Sequence, residues 1–182
     1  LMSQAAFDGD LARVLHYLVP LLSFALGVAA AEVIHIRYRE AKHLHWRQLV
    51  LVVEILLLFG VGFIPNTLDL AANALVSFAC AMQVQAFRKV HGYPFASTMC
   101  IGNMRSGMES LVVYFHLHDK KVLHKALHYF GVILLFAIGA GVGAHCVGVF
   151  GNKTIWFSCA LLLVSLCFMF IQDEEEDLKE KA

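Results

Sequence analysis

Charge is the scarcest resource in this chain. Only 15% of its 182 residues are Asp, Glu, Lys or Arg, and fourteen of each sign leave no formal net charge. A soluble domain carries roughly 25% charged residues. With no basic excess, the chain has no electrostatic footprint for nucleic acid. Proline is nearly absent, at three residues, and no CxxC pair occurs among the five cysteines Cys80, Cys100, Cys146, Cys159 and Cys167. Neither a zinc knuckle nor a disulfide framework is indicated, and the thiols read as small apolar packing groups. The opening Leu1-Met2 has none of the basic, apolar and cleavage-site regions of a signal peptide, and the start reads as that of a fragment.

What the chain has instead is apolar surface: 59% hydrophobic residues and a mean hydropathy of +0.69. Five stretches approach the ~20 residues needed to cross ~30 Å of hydrocarbon. They are Val14 to Ile34, Leu49 to Ile64, Leu70 to Phe87, Tyr129 to Val149 and Ile155 to Ile171. Trp46 and Trp156 stand at the start of two of them, where aromatic belts form. Helices satisfy this much backbone in lipid, so the expected fold class is an all-α integral membrane bundle. The shorter apolar run Met108 to His118 reads as an interfacial or re-entrant piece.

Lys and Arg favour the cytoplasmic side in short loops. If Val14 to Ile34 runs inward, twelve of the fourteen basic residues fall inside, and only Arg13 and Lys153 outside. The expected location is therefore the cell membrane, multi-pass, with a cytoplasmic C-terminus. The acidic end 172–182 is expected there as a solvated, partly disordered tail.

Displaced by 112 residues, the chain matches itself at Leu11, Leu15, His16, Tyr17, Leu22, Phe24, Ala25 and Gly27, eight identities in seventeen positions. Two unrelated apolar helices would share roughly two, so an internal duplication is indicated. The charge pattern sends the two copies in opposite directions, which makes them inverted repeats. Each repeat then needs an odd number of spans. The expected organisation is 1–68 as repeat 1 lacking its first helix, 69–171 as repeat 2 with a broken or re-entrant segment 92–118, and the tail. Inverted repeats recur in secondary transporters because one scaffold can open to either side.

Several residues could carry function. Glu54 lies inside an apolar stretch, where a carboxylate costs about 2.5–3.5 kcal/mol, and is the candidate for proton or cation coupling. Asn73, Gln83 and Gln85 make Leu70 to Phe87 the most polar of the helices. Gln83 and Gln85 face different sides, so packing through interhelical hydrogen bonds is as natural a role as solute binding. Asn103 and Arg105 follow a Gly- and Pro-punctuated stretch that suits a broken helix lining a cavity. Glu32 and His145 sit near helix ends and read as snorkelling groups. Gly27, Ala31, Gly139 and Gly143 give small-xxx-small spacings for close helix approach, and Pro20 is placed to kink the first copy. Of the ten histidines, His124 and His128 share a helix face, but no thiolate or carboxylate set completes a metal site. No cofactor motif, nucleophile-base pair or metal triad argues for an enzyme.

The run SFACAMQVQAFRKVHGYPFASTMCIGNMRSG resembles the signature segment of the YoaK-like family of uncharacterised bacterial membrane proteins. Gln83, Gly102 and Asn103 stand at matching positions, while Ile101 replaces a common threonine and Ala81 a common glycine. The resemblance covers essentially the whole chain and implies fold and topology, including a helix before Leu1. It implies no activity. The expected function is a small-solute transporter or channel with a site between the repeats, taking an unknown solute, surrounded by membrane lipid, with a homodimer as an open arrangement. The alternative is a non-transporting membrane sensor or interaction subunit.

Overall fold

The structure, a computed structural model, describes residues 7, 9–38, 45–90, 93–94 and 100–180. Each of the five apolar stretches is a helix. With one further helix between the third and fourth of them, the described helices are, in chain order, α1 Leu11–Tyr38, α2 Trp46–Val61, α3 Asp69–Ala86, α4 Cys100–Leu117, α5 Lys120–Phe150 and α6 Ile155–Glu180. Short 3-10 turns, Asn66–Leu68 and Gly151–Thr154, precede α3 and α6. Between α3 and α4, the strands Lys89–Val90 and Tyr93–Pro94 pair antiparallel in a minimal hairpin.

α1 runs without interruption through Pro20. At the other end of the chain, α6 continues through the acidic run to Glu180, where a partly disordered tail was expected. Glu, Lys and Leu are strong helix formers, so the run extends the helix it follows. A second difference concerns 92–118. Cys100–Leu117 is one continuous helix, because it contains no proline and its glycines do not interrupt it. The remainder of the expected break, 95–99, lies outside the described residues.

Length and apolarity mark two helices as candidate spans, α1 and α5. The most apolar window of α5 has no buried residue and that of α1 only 11%. Both expose leucines and valines over most of their length, and α5 phenylalanines as well. A soluble protein does not present such surface to water, and the core helix of a soluble domain would be covered. Such surface suits association with lipid. α2, at 16 residues, is about 24 Å long, short of the ~30 Å hydrocarbon core.

The chain divides into two compact units, residues 1–86 with 152–182, and residues 87–151. These packing units do not follow the repeat boundaries drawn from sequence: α3 and α6 pack with α1 and α2 in the first unit. α1 lies against α3, and α3 and α6 both lie against α2. Gly27 sets the α1–α3 approach. A Cβ there would collide with the Phe78 carbonyl oxygen and come within 2.8 Å of the Ala81 Cβ, while Ala31, one turn on, is fully buried. The small-residue spacing thus works as helix packing in the first copy. Its counterparts in α5, Gly139 and Gly143, meet nothing within 4 Å.

Around α2 the core is Leu58, Ala79 and Cys159, with Val76, Ile155 and Leu162 against it. Trp156 of α6 sits over Gly62, stacked on Phe59 at 6.1 Å and tilted against Phe63 at 5.5 Å. In the second unit α4 packs on α5, and Gly107 lets the helices close until a Cβ would lie 3.3 Å from Tyr129 and Phe130. Asp119 caps α5, its carboxylate accepting from the Lys121 amide at 2.9 Å.

Candidate functional site: a carboxyl in a helical core

α2 is apolar on nearly every side, and its buried residues Val50, Leu51, Glu54, Leu58 and Val61 recur at helical spacing. Glu54 therefore shares the face that packs on α3 and α6, and it is only 3% exposed. Its Oε2 is buried with no hydrogen-bond partner. Two thiols, Cys80 of α3 and Cys159 of α6, lie near the carboxyl. The Cys159 thiol donates to the Ile55 carbonyl at 3.9 Å, which ties α6 to the turn of α2 that carries Glu54. Composition alone gave these cysteines as inert packing groups, and periodicity within one helix could not have revealed that two of them flank a charge on another.

α2 and α3 are joined by a short turn and run antiparallel, with Leu58 against Ala79. One turn back along α2 from Leu58 is Glu54, and one turn forward along α3 from Ala79 is Gln83. Two of the expected site residues, Glu54 and half-buried Gln83, thus stand on neighbouring, packed helices.

Gln85 belongs to the opposite face of α3, with Phe78 and Ala81, against α1. Its Nε2 donates to Glu32 Oε2 at 2.6 Å. Glu32 also approaches His35 Nδ1, at 3.5 Å, and His35 lies on Trp46, ring centroids 4.4 Å apart, with Arg47 over the indole. Glu32 is thus more than the snorkelling group expected from sequence, because it is held from across the α1–α3 interface. Nothing in the spacing of either helix announced the pair. Next to it, His45 and Gln48 form a reciprocal cap at the start of α2: His45 Nδ1 accepts from the Arg47 amide and Gln48 Oε1 from the His45 amide.

The remaining expected site residues are dispersed. Asn73 is exposed in the second turn of α3, and twelve residues of helix put it about 18 Å from Gln85 along the axis. The two cannot hold one small solute together. Asn103 and Arg105 are in the second unit, both on α4, where Asn103 is 4% exposed and Arg105 is exposed. Two residues apart on a helix, they face different sides. Among the described residues no three His, Cys, Asp or Glu side chains converge as metal ligands.

The described residues are almost wholly helical, and two of the helices are long and apolar enough to cross a membrane. The chain belongs to the DUF1275 family, described as proteins of unknown function, whose family model matches residues 1–168. That span takes in every helix up to the acidic end of α6. No curated protein and no solved structure matches the chain.

Proposed function

We propose that this protein is a multi-pass membrane transporter or channel for a small solute, built from two inverted repeats, with proton or cation coupling through Glu54. The observation that carries this reading is the Glu54 carboxyl, buried on the packed face of α2 with Oε2 unpartnered. A carboxyl in this setting costs about 2.5–3.5 kcal/mol on insertion scales. Buried polar groups kept for structure are normally hydrogen-bonded, and Glu54 Oε2 forms no such bond to offset the cost. Binding and releasing a charge gives it a use. Gln83, on the neighbouring helix α3, is the amide proposed to contact the solute. Gln85, engaged by Glu32, is assigned to packing.

The repeat lengths support the reading. Displaced by 112, Leu11–Tyr38 maps onto 123–150, and α5 is Lys120–Phe150, ending at the corresponding residue. The orientation with twelve basic residues and the C-terminus inside is part of the same proposal.

The test is electrical. Purified protein in proteoliposomes on a solid-supported membrane is challenged with inorganic ions, amino acids, sugars and nucleobases under pH gradients of both signs. At least one probe is expected to give a current, and Glu54→Gln is expected to reduce it tenfold or more while leaving the helical circular dichroism and melting intact. Silence across all probes moves the assignment to a membrane sensor or interaction subunit. A full-size current in the folded variant removes Glu54 from the mechanism.

A further inference from the structure

α4 is the helix whose packed face is least like a membrane core. Its buried residues are Asn103, Gly107 and Ser110, at the spacing that faces one neighbour. That neighbour is α5, which answers with Tyr129 and Ala126, both buried. Where two apolar helices would have closed with leucine and valine, the face of α4 is made of an amide, a glycine and hydroxyls. Between the helices a cavity of about 290 Å³ opens beside Ser106 and Ser110 on α4 and Lys125 and Tyr129 on α5. Glu109 stands at its rim and is exposed. The Ser110 hydroxyl donates back to the Ser106 carbonyl at 2.8 Å, so its oxygen is left to accept from within the cavity.

The lining combines one cation, one anion and three hydroxyls, with Val113 and Val122 as apolar walls. Its volume is at the small end for small-molecule pockets. Lys125 supplies ammonium donors to a phosphate or carboxylate, and Glu109 accepts only from a donor. A purely anionic ligand would meet Glu109 repulsively, and a purely cationic one Lys125. The position along α5 also matters. Lys120, Lys121 and His124 cluster on the stretch of α5 whose Val122, Lys125 and Tyr129 line the cavity, and the apolar run of α5 begins just beyond Tyr129. Lysine and tyrosine at such a boundary mark the headgroup layer of a bilayer.

We propose that this cavity binds a zwitterion made of a phosphate and a primary ammonium group, with Lys125 and the Ser106 and Tyr129 hydroxyls donating to the phosphate oxygens, and Glu109 and the Ser110 hydroxyl oxygen accepting from the ammonium. An aminophospholipid headgroup and a free phosphorylated amine share that chemistry.

Titration calorimetry of the purified, delipidated full chain separates them, using dihexanoyl phosphatidylethanolamine, phosphatidylglycerol, phosphatidylcholine and free glycerophosphoethanolamine. The ethanolamine lipid is expected to bind about tenfold or more tightly than the glycerol lipid, which has no ammonium, and the choline lipid, whose quaternary nitrogen has no N–H to donate. Glu109→Gln, at an exposed position, is expected to erase most of that preference, and Lys125→Gln to weaken ethanolamine and glycerol lipids alike. Comparable binding of the free headgroup identifies a soluble ligand, and binding that needs the acyl chains identifies a lipid. Equal affinity for all three lipids, no binding of any ethanolamine probe, or an unchanged preference in Glu109→Gln overturns the proposal. The comparison between lipids needs no variant, so it stands even if Lys125→Gln fails to fold.

Discussion

Replacing Gly27 with alanine adds one methyl group where α1 and α3 already touch. That methyl would collide with the Phe78 carbonyl oxygen and sit 2.8 Å from the Ala81 Cβ. Carbon atoms in van der Waals contact stand about 3.5–4.0 Å apart, so the helices must separate by about 1 Å. The obstacle is backbone, which has no rotamer to give. Overpacking of this kind costs about 1–3 kcal/mol, and for a chain of this length each kcal/mol lowers the melting temperature by about 2–4 °C. Gly27→Ala is therefore expected to melt about 2–12 °C below the parent in detergent, followed by circular dichroism. The repeat supplies its own control. Gly139 occupies the corresponding position in α5 and has nothing within 4 Å, so Gly139→Ala should match the parent or exceed it slightly, since alanine is the better helix former by ~0.5–1 kcal/mol. Identical melting of Gly27→Ala, Gly139→Ala and the parent would refute the close α1–α3 approach. An equal loss in both variants would mean that a helix covers Gly139 in the assembled protein.

Three further outcomes follow from contacts within single units. Gln85→Ala removes the 2.6 Å bond to the Glu32 carboxylate and is expected to cost about 1–2 kcal/mol, the charge-assisted range discounted for partial exposure; a double-mutant cycle with Glu32→Ala should be non-additive, and strict additivity would deny the pair. Gly62→Ala pushes into the Trp156 indole, so it should lower the melting temperature in the parent but much less in a Trp156→Leu background, with a coupling of about 0.5–3 kcal/mol. Asp119→Ala removes the cap of α5 and should cost about 1 kcal/mol, read as earlier loss of helix on heating; no change would show that this end is held by packing instead.

Much of the architecture was legible along the chain. Apolar runs report helices because every backbone group in lipid must be satisfied locally, and the five runs are five of the six helices given above among the described residues. The sixth, α4, was read as a broken piece because its glycines resemble punctuation, yet Gly107 is a packing glycine that admits Tyr129 and Phe130. Glu54 stood out as the costliest residue in its stretch, and it is indeed buried. Its surroundings did not, because Cys80 and Cys159 lie 26 and 105 residues further along the chain.

The sequence by itself determined helix content, apolar surface and the one carboxyl placed deepest in an apolar run. These are properties of composition and short-range period, which a helix displays whatever it packs against. Only the tertiary structure decided that Gln85 belongs to Glu32, and that α4 meets α5 through hydroxyls around a cavity. Those outcomes depend on which helices are neighbours and on their register. Both are set by the fit of one helix surface against another, such as Gly27 against the backbone of α3, and no single stretch of chain contains that information.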